Sequence, residues 1–333
     1  MISTLILATS FGQIKFDQKF QIDPNRLKLS VARKHPIDNN FSKRVKLVQG
    51  PIKAGPIQKY VFRQDLYKLV PPFAYPKGKL NADLLPNIEA AKLPMEDQGE
   101  RGTCVLFATK FLLEYEYARE KNFKKSFRFN PEFLLWAVRN SYPNYVRDGA
   151  EYSNTQVGFG NFGCVNWNID KTYSKKKTDY DPTYVPQAAS QDKAKPLSTQ
   201  VSLIPLFDHG YGLNDDEFCE ILEIVNSGIP VGLSVGWGNE EPKPGKKPAG
   251  SWSTFDADGV QVLQYTGVVE NAHAIVCVGY KTDPKVDGGG YMVFHNSWGD
   301  AYQGGYVYLT FRKIKEYCRN AYIALPKDFL NFG

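Results

Sequence analysis

The chain has 333 residues, 42% of them apolar, enough for a sizeable core in one large domain or two ordinary ones. No run of about 18 apolar residues occurs, the longest candidates being 272–279 and the broken stretch 229–237, which excludes a membrane-spanning helix. The 41 Lys and Arg against 35 Asp and Glu leave a formal charge of +6 dispersed along the chain rather than gathered in one arm, so nucleic acid is not an expected partner.

Residues 1–12, with apolar Ile2 to Ala8 followed by Thr9, Ser10 and Gly12, fit a minimal secretory signal cut before Gln13. They lack a positive start, and an ordinary first strand is the competing reading. Residues 13–83 are rich in Lys, Arg, Pro and polar side chains and read as an extended leader without a core of its own. Pro71, Pro72, Pro76 and Gly78 punctuate its end.

The spacing of Ala108, Phe111, Leu112, Tyr115 and Ala118 predicts a helix from Cys104 to about Glu120, with Thr103 as N-cap after the break at Gly102. A second helix is expected from Asn130 to Arg139, opened by Pro131, and a third from Asp216 to Asn226, ended near Gly228. Short β-prone runs follow at Val231–Val235, His273–Tyr280, Tyr291–Asn296 and Gly305–Thr310. Helices thus precede strands. Segments 174–200 and 239–250, full of Lys and Pro, read as surface insertions, and there are no internal repeats.

The five cysteines include no C-x-x-C pair, which argues against structural zinc and thioredoxin chemistry. Their odd number leaves at least one thiol unpaired. Cys164, Cys219, Cys277 and Cys318 allow two bridges in three connectivities, although Cys277, in an apolar run, reads as a buried thiol. His35 and His209 fall in polar loops, and His295 reads as a surface neighbour of Asn296.

Cys104 opens the first helix, where unpaired N–H groups and the positive end of the dipole stabilise a thiolate, so its pKa is expected to be lowered. His273 opens one apolar strand and Asn296 closes the next across the Gly-rich turn 281–290. A hairpin centred between Pro284 and Lys285 sets His273 opposite Asn296, whose carbonyl can then hold the imidazole in the tautomer that accepts the thiol proton.

These segments resemble the papain/cathepsin family of cysteine peptidases. Gln98-Gly99-Glu100-Arg101-Gly102-Thr103-Cys104-Val105-Leu106-Phe107-Ala108 is similar to its nucleophile segment. Asn271-Ala272-His273-Ala274-Ile275 with Val278-Gly279-Tyr280 is similar to its histidine strand, and Asn296-Ser297-Trp298-Gly299 with Gly304-Gly305-Tyr306 to its asparagine strand. Leu85-Pro86 resembles the usual start of the mature enzyme and Gly228-Ile229-Pro230-Val231 a further landmark, so the likeness covers roughly residues 84–325. It implies that Cys104 is the nucleophile, His273 the base and then acid, and Asn296 its orienter. Gln98 would join the Cys104 N–H in an oxyanion hole, with Trp298 shielding the His–Asn bond from water.

The chain departs from the family at Arg101, where a cysteine is common, at Val105, where an aromatic is usual, and at Tyr302, which takes the place of a second Trp. His273 lies 169 residues after Cys104, against about 130–150 in the family, a surplus the two insertions can absorb. These departures fit a divergent, bacterial branch.

The resemblance implies an α+β, papain-like fold, with a helical left domain at 84–205, a β-rich right domain at 206–333 and a cleft between them. It implies a cysteine-type endopeptidase acting on peptide or protein substrates through an acyl-enzyme, without cofactor or metal, and a monomer. The leader 13–83 is the candidate propeptide, bound in the cleft and making the protein a zymogen, although it lacks the helical prosegment motif. A secreted, periplasmic or lysosome-like location follows. Two alternatives stand beside this reading. A Cys-His transglutaminase-like acyltransferase would use an Asp as third member, where this chain has Asn296, and a non-catalytic papain-like binding module would have lost Cys, His or Gln, none of which is lost.

Overall fold

The computed structural model describes residues 81–237, 253–256, 261–264, 271–300 and 304–327. The expected signal at 1–12, nearly all of the leader 13–83, the insertion 239–250 and Tyr302 therefore lie outside the described residues.

In chain order the elements are β1 Asn81–Asp83, α1 Leu85–Ala90, α2 Cys104–Glu120, α3 Pro131–Ser141, α4 Tyr152–Phe162, α5 Ala188–Ala194, β2 Val201–Asp208 and α6 Asp215–Asn226. Then follow β3 Val231–Trp237, β4 Ser253–Phe255, β5 Gln261–Leu263, β6 Asn271–Thr282, β7 Gly290–His295, β8 Tyr306–Thr310, α7 Phe311–Tyr317 and β9 Cys318–Pro326. The strands form one sheet in the order β2-β9-β3-β6-β7-β8-β5-β4, with β1 added on β6. All pairs are antiparallel except β5 with β8. The architecture is α+β, as expected.

Two apolar layers sandwich this sheet. On one face, α6 and α7 bury Phe218, Ile221, Leu222, Phe311 and Ile314 against Leu233, Ile275, Cys277 and Phe294. On the other, α1 to α4 pack Leu106, Leu112, Leu134 and Tyr152 on Ala274, Val276, Val278 and Tyr322. Alternate residues of β6 serve the two layers, the period of two that a doubly covered strand requires.

Local chemistry accounts for the helix ends. Asn130 Oδ1 accepts from Glu132 N at 2.8 Å ahead of Pro131, and Asn214 and Glu217 close a capping box on α6. Helix α2 departs from the single apolar face its spacing predicts, because it runs between the sheet and its companion helices and is buried all round from Val105 to Ala118. Its charged residues are paired accordingly: the Lys110 ammonium lies 2.7 Å from Glu114 one turn on and also bonds Glu96.

The sheet redraws two expected boundaries. Strand β1 pairs Asn81–Asp83 with Gly279–Lys281, so the folded unit reaches upstream of residue 84. Strand β2 crosses the division set at 205/206 and lies wholly in the sheet beside β9, because its alternately buried residues need a partner strand. Segment 174–200 lies mostly at the surface, as expected, yet it carries α5, and the Lys175 carbonyl accepts from Glu100 N at 2.9 Å, against the loop that leads into α2. Among the described residues no helix is long and apolar enough to cross a membrane.

Candidate active site

Cys104 is the first residue of α2, half-buried at the seam between the helices and the sheet. Thr103 occupies the N-cap position, but its hydroxyl does not cap the helix. It lies 2.6 Å from the Tyr173 hydroxyl, which itself donates to the Gln98 carbonyl at 2.7 Å, so Thr103 must donate to Tyr173. The uncapped first turn leaves the Val105 N–H to point at the Cys104 sulfur, joined by the Ala274 N–H from β6. The second contact sets the thiol against the residue that follows His273 in the chain.

His273 is buried near the start of β6. Its Nε2 is 2.8 Å from Asn296 Oδ1, which also accepts from Ser297 N at 2.8 Å. A backbone N–H faces only an acceptor, so the oxygen of this carboxamide is the atom turned to both, and the imidazole proton sits on Nε2. The lone pair is then on Nδ1, the tautomer a thiol-activating base needs. Trp298 stacks on the ring with 4.2 Å between centroids at 17°, and Trp237 meets it edge-on at 5.2 Å. Together they cover the His–Asn bond.

The hairpin register is not the one expected. Val276 pairs with His295 and Tyr280 with Met292, with a bulge between Cys277 and Gly279, so the turn runs later than a centre at Pro284–Lys285. His273 and Asn296 are therefore diagonal rather than opposed. They still bond because a diagonal neighbour on the same face lies within reach of long side chains, and Asn296 sits just past the end of β7.

Gln98 is buried and its carboxamide is held at both ends: Oε1 accepts from Ser297 Oγ at 2.6 Å and Nε2 donates to the Arg101 carbonyl at 2.7 Å. One Nε2 hydrogen remains for an incoming oxygen. The backbone bond Gln98 N to Ser297 O at 2.8 Å and the bridge Asp97–Trp298 zip this arm to the asparagine arm. Gly99, at φ +68°, lies where a Cβ would come within 2.3 Å of the Lys175 carbonyl, so only glycine allows this turn.

Arg101 is buried in the same loop and bonded on every side of its guanidinium. Nε and Nη2 grip Asp148 at 2.8–3.1 Å, while Nη1 reaches Glu132 at 2.5 Å and the Ser174 carbonyl at 3.1 Å. Tyr173 and Tyr180 flank the plane at 4.6 and 5.0 Å. This ionic hub ties the loop to α3 and to the segments at 148 and 174.

Burial sets the electrostatics. It pushes the Cys104 thiol up, with Glu151 adding to it and the Ala274 and Val105 N–H groups opposing it, so the lowering expected from the helix end does not prevail. It also pulls His273 down to about 4, with the Lys313 cation adding to the depression and the Asn296 bond resisting it. All five cysteines are free, and Cys164, Cys277 and Cys318 are buried in the core. His295 is not a surface residue: it is 7% exposed and stacked on Phe111.

The structure links His273 to Asn296 directly and Gln98 to Asn296 through Ser297, and sets Cys104 against the N–H of Ala274, the residue that follows His273. Sequence reasoning missed Ser297, although it lies inside the Asn-Ser-Trp motif, and also Tyr173, Trp237, Lys313 and the acidic partners of Arg101. Those others lie in segments with no motif to mark them.

No family model matches the chain, and no curated protein sequence matches it. Among solved structures it is similar to xylellain, a cysteine protease from Xylella fastidiosa, at 18% identity with a TM-score of 0.52, over 80% of this chain and 90% of that one. The α+β, papain-like fold implied by the sequence motifs is the fold the chain has, in a divergent form close in architecture to a bacterial cysteine protease.

Proposed function

We propose that the chain is a papain-like cysteine endopeptidase that cleaves peptide bonds through an acyl-enzyme. The observation that carries this reading is the 2.8 Å bond from His273 Nε2 to Asn296, beside a thiol already contacted by the Ala274 N–H. The Cys104 sulfur attacks the peptide carbonyl carbon while its proton passes to His273 Nδ1. The carbonyl oxygen, now negative, takes hydrogen bonds from Gln98 Nε2 and the Cys104 N–H. The imidazolium gives its proton to the departing amine, and water, deprotonated by the same ring, releases the acid and restores the thiol.

Mass spectrometry after incubation with a peptidyl epoxide tests the assignment. A single adduct on Cys104, together with turnover of a fluorogenic peptide lost in Cys104→Ala, is expected. Adduct on another cysteine, or turnover that survives the substitution, refutes it. Burial raises every thiol, Cys104 included, and pushes Cys219 up to about 11 and Cys277 up to about 12, so selectivity for Cys104 rests on the proton acceptor proposed for it, His273, and not on its resting pKa.

The leader 13–83 is proposed as a propeptide, on its coreless composition. Because β1 begins at Asn81, the test removes residues only up to 80: turnover should rise, and equal rates with and without that segment would make it an accessory segment. Export directed by residues 1–12 is likewise a proposal, checked by N-terminal sequencing of protein recovered from outside the cytoplasm.

A further inference from the structure

Asn296 is bonded on one side only. Its oxygen is used by His273 and Ser297, so Nδ2 points away from the imidazole, and this buried donor makes no hydrogen bond within the protein. A second buried atom in the same state is His295 Nε2. The His295 ring is otherwise fixed, stacked on Phe111 at 3.9 Å between centroids and hydrogen-bonded to the Pro94 carbonyl. A carbonyl only accepts, so the ring proton sits on the nitrogen that faces Pro94 and Nε2 carries a lone pair. Burial and the neighbouring Lys110 cation hold this imidazole down to about 3, which keeps it neutral.

Both residues line a cavity of about 10 Å³ whose walls include Glu96, Lys110 and Glu114. That is the room one water requires, and water needs two to four polar partners to be held there. A donor without an acceptor and an acceptor without a donor thus belong to two residues that line the same cavity. We propose that the cavity binds one water molecule, which accepts from Asn296 Nδ2 and donates to His295 Nε2, making His295 a positioning residue for Asn296. A continuous chain of bonds then runs from the His273 imidazole through Asn296, the water and His295 to the Pro94 backbone. It holds the asparagine carboxamide from behind, so the His273 tautomer is set by both ends of that side chain.

The kinetic half of this proposal rests on the peptidase reading, and the structural half does not. A crystal structure of the full chain at a resolution that places waters should show a peak about 2.7–3.2 Å from both atoms; its absence overturns the proposal. His295→Phe keeps the ring stack and deletes the acceptor, so kcat should fall on the order of 10-fold with KM unchanged. His295→Gln, whose terminal oxygen reaches the region of Nε2, should restore most of that loss. Wild-type kcat in His295→Phe, or equal losses in both variants, would leave His295 a packing residue and refute the positioning role. Should the wild-type chain turn over no peptide, the peptidase reading falls while the density peak still decides the water.

Discussion

At Cys104 and His273 the same burial works on two groups in opposite senses, keeping the thiol protonated and the imidazole neutral. In the proposed mechanism the neutral imidazole is the competent base, and that competence has a pH signature. Activity requires His273 unprotonated, so it is present above its pKa and lost as pH falls through it, near about 4 rather than near the ordinary value of about 6.5. A profile of kcat/KM on a substrate without titrating groups checks this, and an acid limb near 6.5 would contradict the burial seen at His273. The supporting residues should fail unequally. His273→Ala should fall to the level of Cys104→Ala, because members of a catalytic unit fail together. Gln98→Ala deletes one of two oxyanion donors and should cost about 10²–10³ in kcat with KM little changed. Asn296→Ala should be milder than His273→Ala, since the imidazole remains and only its orientation loosens. An Asn296→Ala variant as damaged as Cys104→Ala would overturn the assigned roles. These four candidates could be named from the sequence because each lies in a short contiguous motif. His295 was misread for the opposite reason: nothing in its neighbours reveals that Phe111, far away in sequence, stacks on it.

Among the elements, those whose own residues dictate their shape were read correctly. Helix α2 has the bounds that its apolar spacing predicts, and α3 begins at Pro131 behind an Asn cap. What failed was pairing. The β6–β7 register depends on a bulge at Cys277/Gly279, and two alternating strands give no sign of where an extra residue will be absorbed. Helix α4, with its glycines and polar residues, was invisible because its burial comes from packing on α3 and β2 rather than from its own pattern. Arg101 joins such elements across 31 and 47 residues of sequence, to Glu132 and Asp148. Arg101→Met would strand two carboxylates in the interior and should destabilise the fold by about 3–5 kcal/mol. Adding Glu132→Gln and Asp148→Asn removes the stranded charges and should recover much of that loss. Turnover should stay reduced in both, because Gln98 Nε2 is anchored on the Arg101 carbonyl. Urea unfolding and kcat measured on the same samples check this. Arg101→Met as stable as the wild type would mean the hub is not what holds the loop.

At the scale of the whole molecule, the proposed nucleophile belongs to the helical layer and its proposed base to the sheet, so on that reading the distance between layers is a catalytic parameter. The layers come into tight contact at Gly232 on β3, whose neighbour Val276 on β6 lies three residues from His273. A Cβ there would meet the Tyr152 hydroxyl at 2.7 Å and Leu112 Cδ1 at 2.9 Å, and Leu112 sits on the helix that Cys104 begins. Tyr152 cannot swing aside, being buried and stacked on Tyr322 at 5.0 Å. Gly232→Ala should therefore push α2 outward from the sheet. The strain should cost about 1–3 kcal/mol, and kcat should drop by as much as about 10²-fold if Cys104 shifts 1 Å from His273. The Tyr152 hydroxyl makes no hydrogen bond within the protein, so Tyr152→Phe removes the nearest clashing atom without breaking a bond. In the Tyr152→Phe background the Gly232→Ala penalty should shrink in stability and in kcat together, a positive coupling that a double-mutant cycle reads directly. Additive losses would show that the added methyl acts through the strand alone and that the helical layer does not move.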